Sequence, residues 1–325
     1  MPIHVIRFEQ AGVARWGVVR NEQITPVPST AESTGDFVRS TNIAELAALQ
    51  GTTLDLRDVR LLSPVTRSQQ FICQGANYRQ HMIESGLDPD QKTYNMIFTK
   101  AASCIVPGDH DVIVPASVQL LDYEIELGLV LKQDILAPTS VTSASLHEWV
   151  AGLVIVNDYS ARDIQLPQSQ FYKGKSFRTF GPVGPYLCLL SPEDFELLGT
   201  LQLTLRVNGE IRQNDSTANL VHGPAETLSE LSHVQDMFAG DLLSTGTPSG
   251  CALAVPPPWK QKFGTLLSEQ KKWQVFIAGQ RKRSQYLKPG DVVTATIRSP
   301  DGSIDLGQQT NRVRRVADVA AQARS

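Results

Sequence analysis

The chain has 325 residues, of which 41% are hydrophobic and 19% charged, and its formal net charge is −3 at pH 7. This composition is typical of a globular protein rather than a disordered one, and the lack of a basic tract argues against nucleic-acid binding. At this length, one large domain, or a medium domain with a small companion, can bury a core.

The cysteines argue for a reducing environment. Four of them are scattered without a CxxC spacing, which argues against a zinc knuckle and against a disulfide framework. The first residues, MPIHVIRFEQ, lack the charged and apolar regions of a signal peptide, and no apolar run approaches membrane-spanning length. We therefore expect a cytoplasmic enzyme.

The N-terminal part reads as a small unit. Residues 3–8 and 15–19 have the pattern of short strands, and residues 42–50 have the spacing of a helix. The segment LLSPV then leads into the main body of the chain. We predict a small N-terminal domain over residues 1–65 and a catalytic domain over residues 66–325.

From residue 70 onward the sequence is dominated by strand patterns. Short β-branched and apolar segments alternate there with Gly, Pro and Asp. Helical spacing is restricted to about 142–151, 224–238 and 265–275, and neither a Rossmann alternation nor a GxGxxG motif occurs. The pattern predicts an α+β fold that is predominantly β, a sandwich or roll with peripheral helices.

Two glutamates interrupt the apolar segment LDYEIELGLVL at residues 121–131. In a strand, Glu124 and Glu126 point to one face, whereas Ile125 and Leu127 point to the other. Two neighbouring carboxylates in an apolar strand repel each other and are costly to desolvate. A hard divalent cation, which prefers oxygen ligands, relieves both costs. The alternative is an exposed strand face with two solvated glutamates.

A further carboxylate follows the next apolar run. Residues 152–156 end abruptly in Asn157 and Asp158, at the kind of strand-to-loop boundary where functional side chains are often presented. Arg162 and Gln165 belong to the dense polar stretch that comes next. A turn-forming Asn-Asp pair is the alternative. Together with the paired glutamates, this aspartate indicates a metal centre.

The segment NYRQHMIE at residues 77–84 carries a candidate general base. If the segment is helical, His81 and Glu84 lie on one face, so that the carboxylate can orient the imidazole to activate water. A solvated surface helix explains the same spacing equally well.

Two glycine-containing loops offer groups for an anion. Lys175 lies in YKGKSFRTFGPVGP at residues 172–185, where it could serve a substrate carboxylate or a developing oxyanion. The alternative is a flexible basic loop. The loop STGTPSG at residues 244–250 presents backbone N–H groups and hydroxyls, but it is not a P-loop because no GKS or GKT follows.

The order of these motifs resembles the fumarylacetoacetate hydrolase (FAH) family. Over roughly residues 70–313 the chain carries, in order, NYxxHxxE, DYExELGxVL, NDxSARDxQ, KGKSFxTFGPxGP, VNGE, STGTPSG and LKPGD. The resemblance implies an FAH-type mixed β-sandwich roll with a small N-terminal domain, a homodimer, and bound Mg²⁺, with Mn²⁺ or Ca²⁺ in some members. It assigns the metal ligands as Glu124, Glu126 and Asp158.

The resemblance also assigns the remaining site residues. As catalytic residues it implies His81, Glu84 and Lys175. As residues that border the substrate it implies Tyr78, Arg162, Gln165 and Thr247.

Several reactions are compatible with this resemblance, because the fold and the metal are shared while the chemistry varies. We expect C–C bond hydrolysis of an acylpyruvate or related β-diketo acid, such as a fumarylacetoacetate- or fumarylpyruvate-like compound in aromatic catabolism, with release of a pyruvate-type enolate. The rivals are an oxaloacetate decarboxylase or tautomerase, a hydratase or isomerase of a keto acid, and a module that binds a small anion without turnover.

The chain departs from compact members of the family over residues 251–286. These members have only a short connection there. The long segment either shapes the pocket or the dimer interface, or is a peripheral elaboration, since long insertions are often functional but not always so.

Overall fold

A computed structural model of the chain contains two packed β-sheets, a short two-stranded ribbon and peripheral helices. It describes residues 2–91, 94–255 and 267–316. Part of the long segment at 251–286, residues 256–266, lies outside the described residues. No helix within the described ranges is long and apolar enough to span a membrane.

The strands, in chain order, are β1 (Ile3–Gln10), β2 (Val13–Arg20), β3 (Gln23–Pro26), β4 (Leu54–Asp55), β5 (Arg60–Leu62), β6 (Phe71–Gly75), β7 (Met96–Lys100), β8 (Ile105–Pro107), β9 (Val112–Val114), β10 (Leu121–Asp122), β11 (Ile125–Leu131), β12 (Val150–Asn157), β13 (Ser160–Ala161), β14 (Gly181–Val183), β15 (Leu187–Leu189), β16 (Gln202–Val207), β17 (Glu210–Ser216), β18 (Leu242–Ser244), β19 (Val292–Arg298) and β20 (Asp305–Arg315). The α-helices of the described residues are α1 (Thr34–Ser40), α2 (Ile43–Ala48), α3 (Arg79–Glu84), α4 (Leu146–Trp149), α5 (Arg162–Gln168), α6 (Phe171–Lys175), α7 (Pro224–Ser232) and α8 (Glu269–Gln280). Short 3₁₀ turns cover Leu56–Asp58, Ala102–Cys104, Pro192–Thr200 and Thr217–Asn219.

The larger sheet contains strands from both the predicted N-terminal domain and the predicted catalytic domain. Its main path is β4-β3-β2-β1-β15-β12-β11-β18-β6-β7, with β5, β8 and β14 attached beside it. Most neighbours are antiparallel, but β18 runs parallel to β6 and β14 parallel to β8, so the sheet is mixed. β1 pairs with β15, with Ile3 opposite Leu189. The N-terminal strands therefore extend the sheet of the main body.

The second sheet packs against one face of the larger one. Its order is β17-β16-β19-β20-β9, and β10 and β13 form the separate ribbon. Leu127 and Leu129 of β11 share one buried apolar cluster with Leu203 and Leu205 of β16 and Ile297 of β19. Because full burial of one such side chain contributes about 1.5–3 kcal/mol, this shared core stabilises the two-layer arrangement. The predicted fold, predominantly β with peripheral helices, is confirmed.

The other face of the larger sheet has its own core. Val130 of β11 and Val154 of β12 belong to a second cluster together with Trp16 and with Phe37 of α1. Side chains alternate along a strand, so even-numbered residues of β11, including Glu126, point to this face. Ile125 and Leu127, which flank Glu126 in the sequence, point to the opposite face because of that alternation.

The prediction of only a few helices after residue 70 was incomplete. α5 and α6 lie where the sequence suggested polar loops, because Pro167 and Gly174 obscure any helical periodicity. Their mutual packing stabilises them instead. A Cβ on Gly174 would lie 2.7 Å from Cβ of Gln165, so this close approach of α6 to α5 requires glycine.

Candidate active site

Three carboxylates meet where two central strands lie side by side. Glu124 immediately precedes β11, Glu126 lies within it, and Asp158 follows the last residue of β12. The strands are antiparallel with Ile125 opposite Asn157, which places the start of β11 beside the end of β12. One ligand atom from each of Glu124, Glu126 and Asp158 lies within 4.8 Å of the others. These residues are 4%, 1% and 0% exposed, so the alternative of a solvated strand face is wrong.

Two buried lysines contact this carboxylate cluster. Nζ of Lys175, at the end of α6, donates to a carboxylate oxygen of Glu124 and, at 2.5 Å, to one of Asp158. Lys100, the last residue of β7, donates to the other Asp158 oxygen at 2.5 Å and to the Phe180 carbonyl at 2.7 Å. Asp158 is thus held between two ammonium groups. Lys175 sits in a helix, not in the flexible loop that was its alternative.

Arg162, at the start of α5, links the cluster to a neighbouring acid. Its Nε donates to Asp122 at 2.8 Å, its Nη2 donates to Glu124, and its Nη1 donates to Gln165 at 2.8 Å. Arg162 and Gln165 are 4% and 3% exposed. The guanidinium is therefore fixed by acceptors on three sides, and Gln165 is oriented by it.

The buried charges do not cancel. Carboxylates outnumber cations in this group, which comprises Asp122, Glu124, Glu126, Asp158, Lys100, Arg162 and Lys175. Burial, and then repulsion by Asp158 and Glu124, raises the pKa of Glu126 to about 8. Burial alone would also raise the pKa of Glu124, but the adjacent Arg162 and Lys175 lower it below its ordinary value. Glu126 is the carboxylate whose charge is least compensated.

The donor set fits a hard divalent cation. All three side chains offer oxygen, which Mg²⁺ and Mn²⁺ prefer. The Ser244 hydroxyl and the Gly246 N–H both donate to Glu126 Oε2, and these neutral donors orient the carboxylate without neutralising it. A cation beside Glu126 would supply the missing charge. The three residues could therefore hold a hard divalent cation.

The STGTPSG loop at residues 244–250, called the TGTP loop below, supports the start of β11. The Thr247 hydroxyl donates to the Ile125 carbonyl at 3.0 Å and accepts from Gln213 Nε2 at 2.8 Å. Gln213 Oε1 in turn accepts from the Ile125 N–H at 3.0 Å. Thr247 was expected to border the substrate, but its hydroxyl is committed to the strand that carries the glutamates.

The predicted histidine lies beside the cluster on a helix. α3 places one ring nitrogen of His81 within 4.8 Å of a Glu124 oxygen, and burial lowers the pKa of His81, which keeps the ring neutral at pH 7. Its Nδ1 is buried with no hydrogen-bond partner among the described residues. Glu84 is exposed and makes no hydrogen bond to His81, so its orienting role stays a prediction. Tyr78 is buried, and its hydroxyl likewise has no partner in the described ranges.

Three residues of this site were not singled out from the sequence. Lys100 ends the apolar strand MIFTK, a position comparable to that of Asp158, and this was its only local signal. Asp122 was visible as an acid just ahead of the two glutamates. Gln213 has no local signal, because its partners lie more than thirty residues away along the chain.

Comparison with known proteins identifies the family of the chain. The family model "Fumarylacetoacetate (FAA) hydrolase C-terminal" matches residues 70–314. A second model, "Rv2993c-like, N-terminal", matches residues 4–64. These two matches flank the predicted boundary, although the division into two domains stays a prediction.

Individual relatives lead to the same family. Oxaloacetate tautomerase YisK of Bacillus subtilis is 36% identical over 207 residues, covering 62% of this chain and 66% of the relative, just under two thirds of its length. The mitochondrial oxaloacetate tautomerase FAHD2A of Bos taurus is 30% identical over 266 residues, covering 81% of this chain and 75% of the relative. A fumarylacetoacetate hydrolase from psychrophilic Exiguobacterium antarcticum superposes with a TM-score of 0.71 at 29% identity, covering 96% of this chain and 99% of that one. The chain belongs to the fumarylacetoacetate hydrolase family.

Proposed function

We propose that this protein is a divalent-metal-dependent tautomerase of small 2-oxo dicarboxylic acids of the oxaloacetate type. The observation that carries the proposal is the position of His81, which has a ring nitrogen within 4.8 Å of Glu124 in a buried carboxylate cluster that also contains Lys175 and Arg162. Two of the relatives bear the name oxaloacetate tautomerase, which supports this reaction ahead of C–C bond hydrolysis.

The charged residues of the site suit an anionic keto acid. Glu124, Glu126 and Asp158 would hold the metal, which when bound stabilises negative charge developing on a substrate oxygen. Arg162 and Lys175 supply fixed positive charge in a buried environment, where charge–charge interactions are stronger than in water. Together with a bound divalent cation, they would make the net charge of this buried group positive, which attracts the substrate carboxylates and stabilises an enolate oxygen.

His81 provides the proton transfer. Because burial lowers its pKa, the imidazole is in its basic form near neutral pH. It takes a proton from the carbon next to the keto group and returns it to the keto oxygen. One C–H bond is broken and one O–H bond is formed, so no atom is gained or lost. No attacking water is needed, and hence no contact from the exposed Glu84.

The test is enol–keto interconversion of oxaloacetate. The metal-stripped protein, with Mg²⁺ or Mn²⁺ added back, should accelerate the change in enol absorbance without releasing pyruvate or CO₂. His81→Asn should lower the rate by about 10²- to 10⁴-fold. His233→Asn replaces an exposed histidine just after α7 and is the matched control. Pyruvate and CO₂ appearing in step with substrate loss would instead identify a decarboxylase.

Acylpyruvate hydrolysis is the second candidate function. Burial lowers the pKa of His81, whereas the charge of Glu84, three residues further along α3, acts weakly in the opposite direction. The similar Exiguobacterium structure is described as a hydrolase. In that reaction water adds to the distal carbonyl and the C–C bond breaks, which gives a carboxylic acid and pyruvate. Equimolar release of these products from a small acylpyruvate would favour hydrolysis over tautomerisation.

A further inference from the structure

A second group of possible metal ligands adjoins the three carboxylates. One ligand atom each from His81, Glu124 and Cys251 lies within 4.8 Å of the other two. Cys251 directly follows the TGTP loop, and the proposed reaction makes no use of it. Its Sγ lies 3.9 Å from Glu124 Oε1 and 3.7 Å from Gln213 Nε2. These sulfur contacts are long and weak, which leaves the thiol available for a stronger ligand.

The histidine of this group has an unsatisfied ring nitrogen. Nδ1 of His81 is buried, and the part of the chain that the structure describes offers it no hydrogen-bond partner. Buried polar atoms normally have a partner, so an orphaned one calls for an explanation such as an ion. His81 belongs to a short helix and Cys251 to a loop some 170 residues later, and the fold alone brings them together.

The two oxygens of Glu124 face different surroundings. Oε2 accepts from Lys175 and from Ser160, on the side of Asp158. Oε1 accepts from Nη2 of Arg162 and lies 3.9 Å from the sulfur of Cys251. The positive charge of Arg162 is already shared with Asp122 at 2.8 Å, so a cation at Oε1 would not face an uncompensated like charge.

The chemistry of this group differs from that of the three carboxylates. Nitrogen, sulfur and oxygen from His, Cys and Glu are the ligands that Zn²⁺ takes, at about 2.0–2.3 Å from the ion. Tetrahedral ligand atoms are then roughly 4 Å apart or less. The ligand atoms of His81, Glu124 and Cys251 lie within 4.8 Å of one another, so small side-chain rotations can bring them to that spacing. Mg²⁺, by contrast, disfavours thiolate.

We propose that His81, Cys251 and Glu124 form a second metal site, one that takes Zn²⁺ or another borderline-soft ion such as Co²⁺ through a thiolate. It shares Glu124 with the hard-cation site but differs from it in its other ligands. An ion bound there occupies the His81 ring, so it inhibits turnover. This inhibition rests on the proposed function, whereas the site itself does not.

Cobalt absorbance tests the site without any turnover. The metal-free full-length protein is saturated with Mg²⁺ and then titrated with Co²⁺. We expect a thiolate-to-cobalt charge-transfer band that saturates at one ion per chain and disappears when Zn²⁺ is added. Cys251→Ala should abolish the band. His81→Ala should weaken Co²⁺ binding at least as much as the roughly 10- to 100-fold loss caused by removing an outer-shell partner.

The control is Cys188→Ala, which removes a buried thiol outside this group of ligands and should retain the band. A far-UV spectrum and a thermal melt establish that each variant is folded. Absence of the band in the wild type, or its survival in Cys251→Ala, would overturn the site. A band without zinc inhibition of oxaloacetate turnover would overturn only the link to His81 as the base.

Discussion

At the scale of single residues, Lys100 shows how a buried charge is maintained. It has no solvent-exposed side-chain surface, and neither does its partner Asp158. Burial favours the neutral amine, but the charge of Asp158, together with smaller contributions from Cys104 and Cys73, raises the pKa of Lys100 above its ordinary value. Lys175 contacts the other oxygen of Asp158, so two ammonium groups hold this carboxylate in place beside Glu126.

Removing Lys100 should therefore destabilise the metal-free protein. Lys100→Met leaves Asp158 with one ammonium instead of two, and breaking a buried pair typically costs about 3–5 kcal/mol. We expect a loss near the lower end of that range in urea unfolding, because Lys175 remains. The exposed Lys173→Met is the matched control, and its free energy of unfolding should change by less than about 0.5 kcal/mol. Combining Lys100→Met with Asp158→Asn should recover part of the loss, and no recovery would contradict the pairing.

At the scale of elements, the site depends on how the start of β11 is fixed. Gln213 of β17 accepts a hydrogen bond from the Ile125 N–H, and Thr247 of the TGTP loop donates one to the Ile125 carbonyl. Both backbone groups between Glu124 and Glu126 are thus satisfied by side chains from elsewhere in the chain. The two sheets are also linked through this contact, because β17 belongs to the second sheet and β11 to the first.

Gln213→Ala should consequently weaken metal binding without removing a ligand. The Ile125 N–H loses its acceptor and the Thr247 hydroxyl loses a donor, so Glu124 and Glu126 become less well oriented. Loss of such a supporting contact typically costs about 10- to 100-fold in metal affinity. Calorimetric titration with Mn²⁺ measures this, with the exposed Gln202→Ala of β16 as the control. Equal affinities in the two variants would show that Gln213 has no positioning role.

At the scale of the whole molecule, the N-terminal strands and the main body share one sheet. His4 of β1 lies opposite Cys188 of β15 and stacks on Tyr186 with ring centroids 4.9 Å apart. Its Nε2 is buried without a hydrogen-bond partner in the described residues. Burial lowers the pKa of His4 below its unfolded value of 6.5, so this junction favours the neutral ring.

The free energy of unfolding should therefore decrease in mildly acidic solution, because His4 lies at the contact between β1 and β15. The unfolded chain binds a proton on His4 more readily than the folded chain does. Stability from the neutral ring is hence fully present above about pH 6.5 and is lost as the pH falls below it. His4→Phe keeps the stacking and should reduce the slope of unfolding free energy against pH by up to about 1.4 kcal/mol per pH unit. The slope should stay at its wild-type value in His233→Phe, and an undiminished slope in His4→Phe would contradict this.

Much of the site was predictable because its residues stand out in local sequence patterns. Alternation along one strand puts Glu124 and Glu126 on the same side, and the abrupt end of an apolar run marks Asp158. The order of motifs predicted the family, which the match over residues 70–314 confirms, and the predominantly β fold is confirmed as well. The expected hydrolase activity stays a proposal, second to tautomerisation.

Tertiary structure alone decided which other side chains join these carboxylates. Lys100, Gln213 and Cys251 come from separate elements, and each reaches the site through strand pairing or loop packing between residues distant along the chain. α5 and α6 likewise form through packing on each other, not through apolar periodicity. A sequence pattern records which face a side chain takes within its own strand or helix. The partner that meets that face depends on how the elements pack, and that packing also sets the charge balance of the buried cluster.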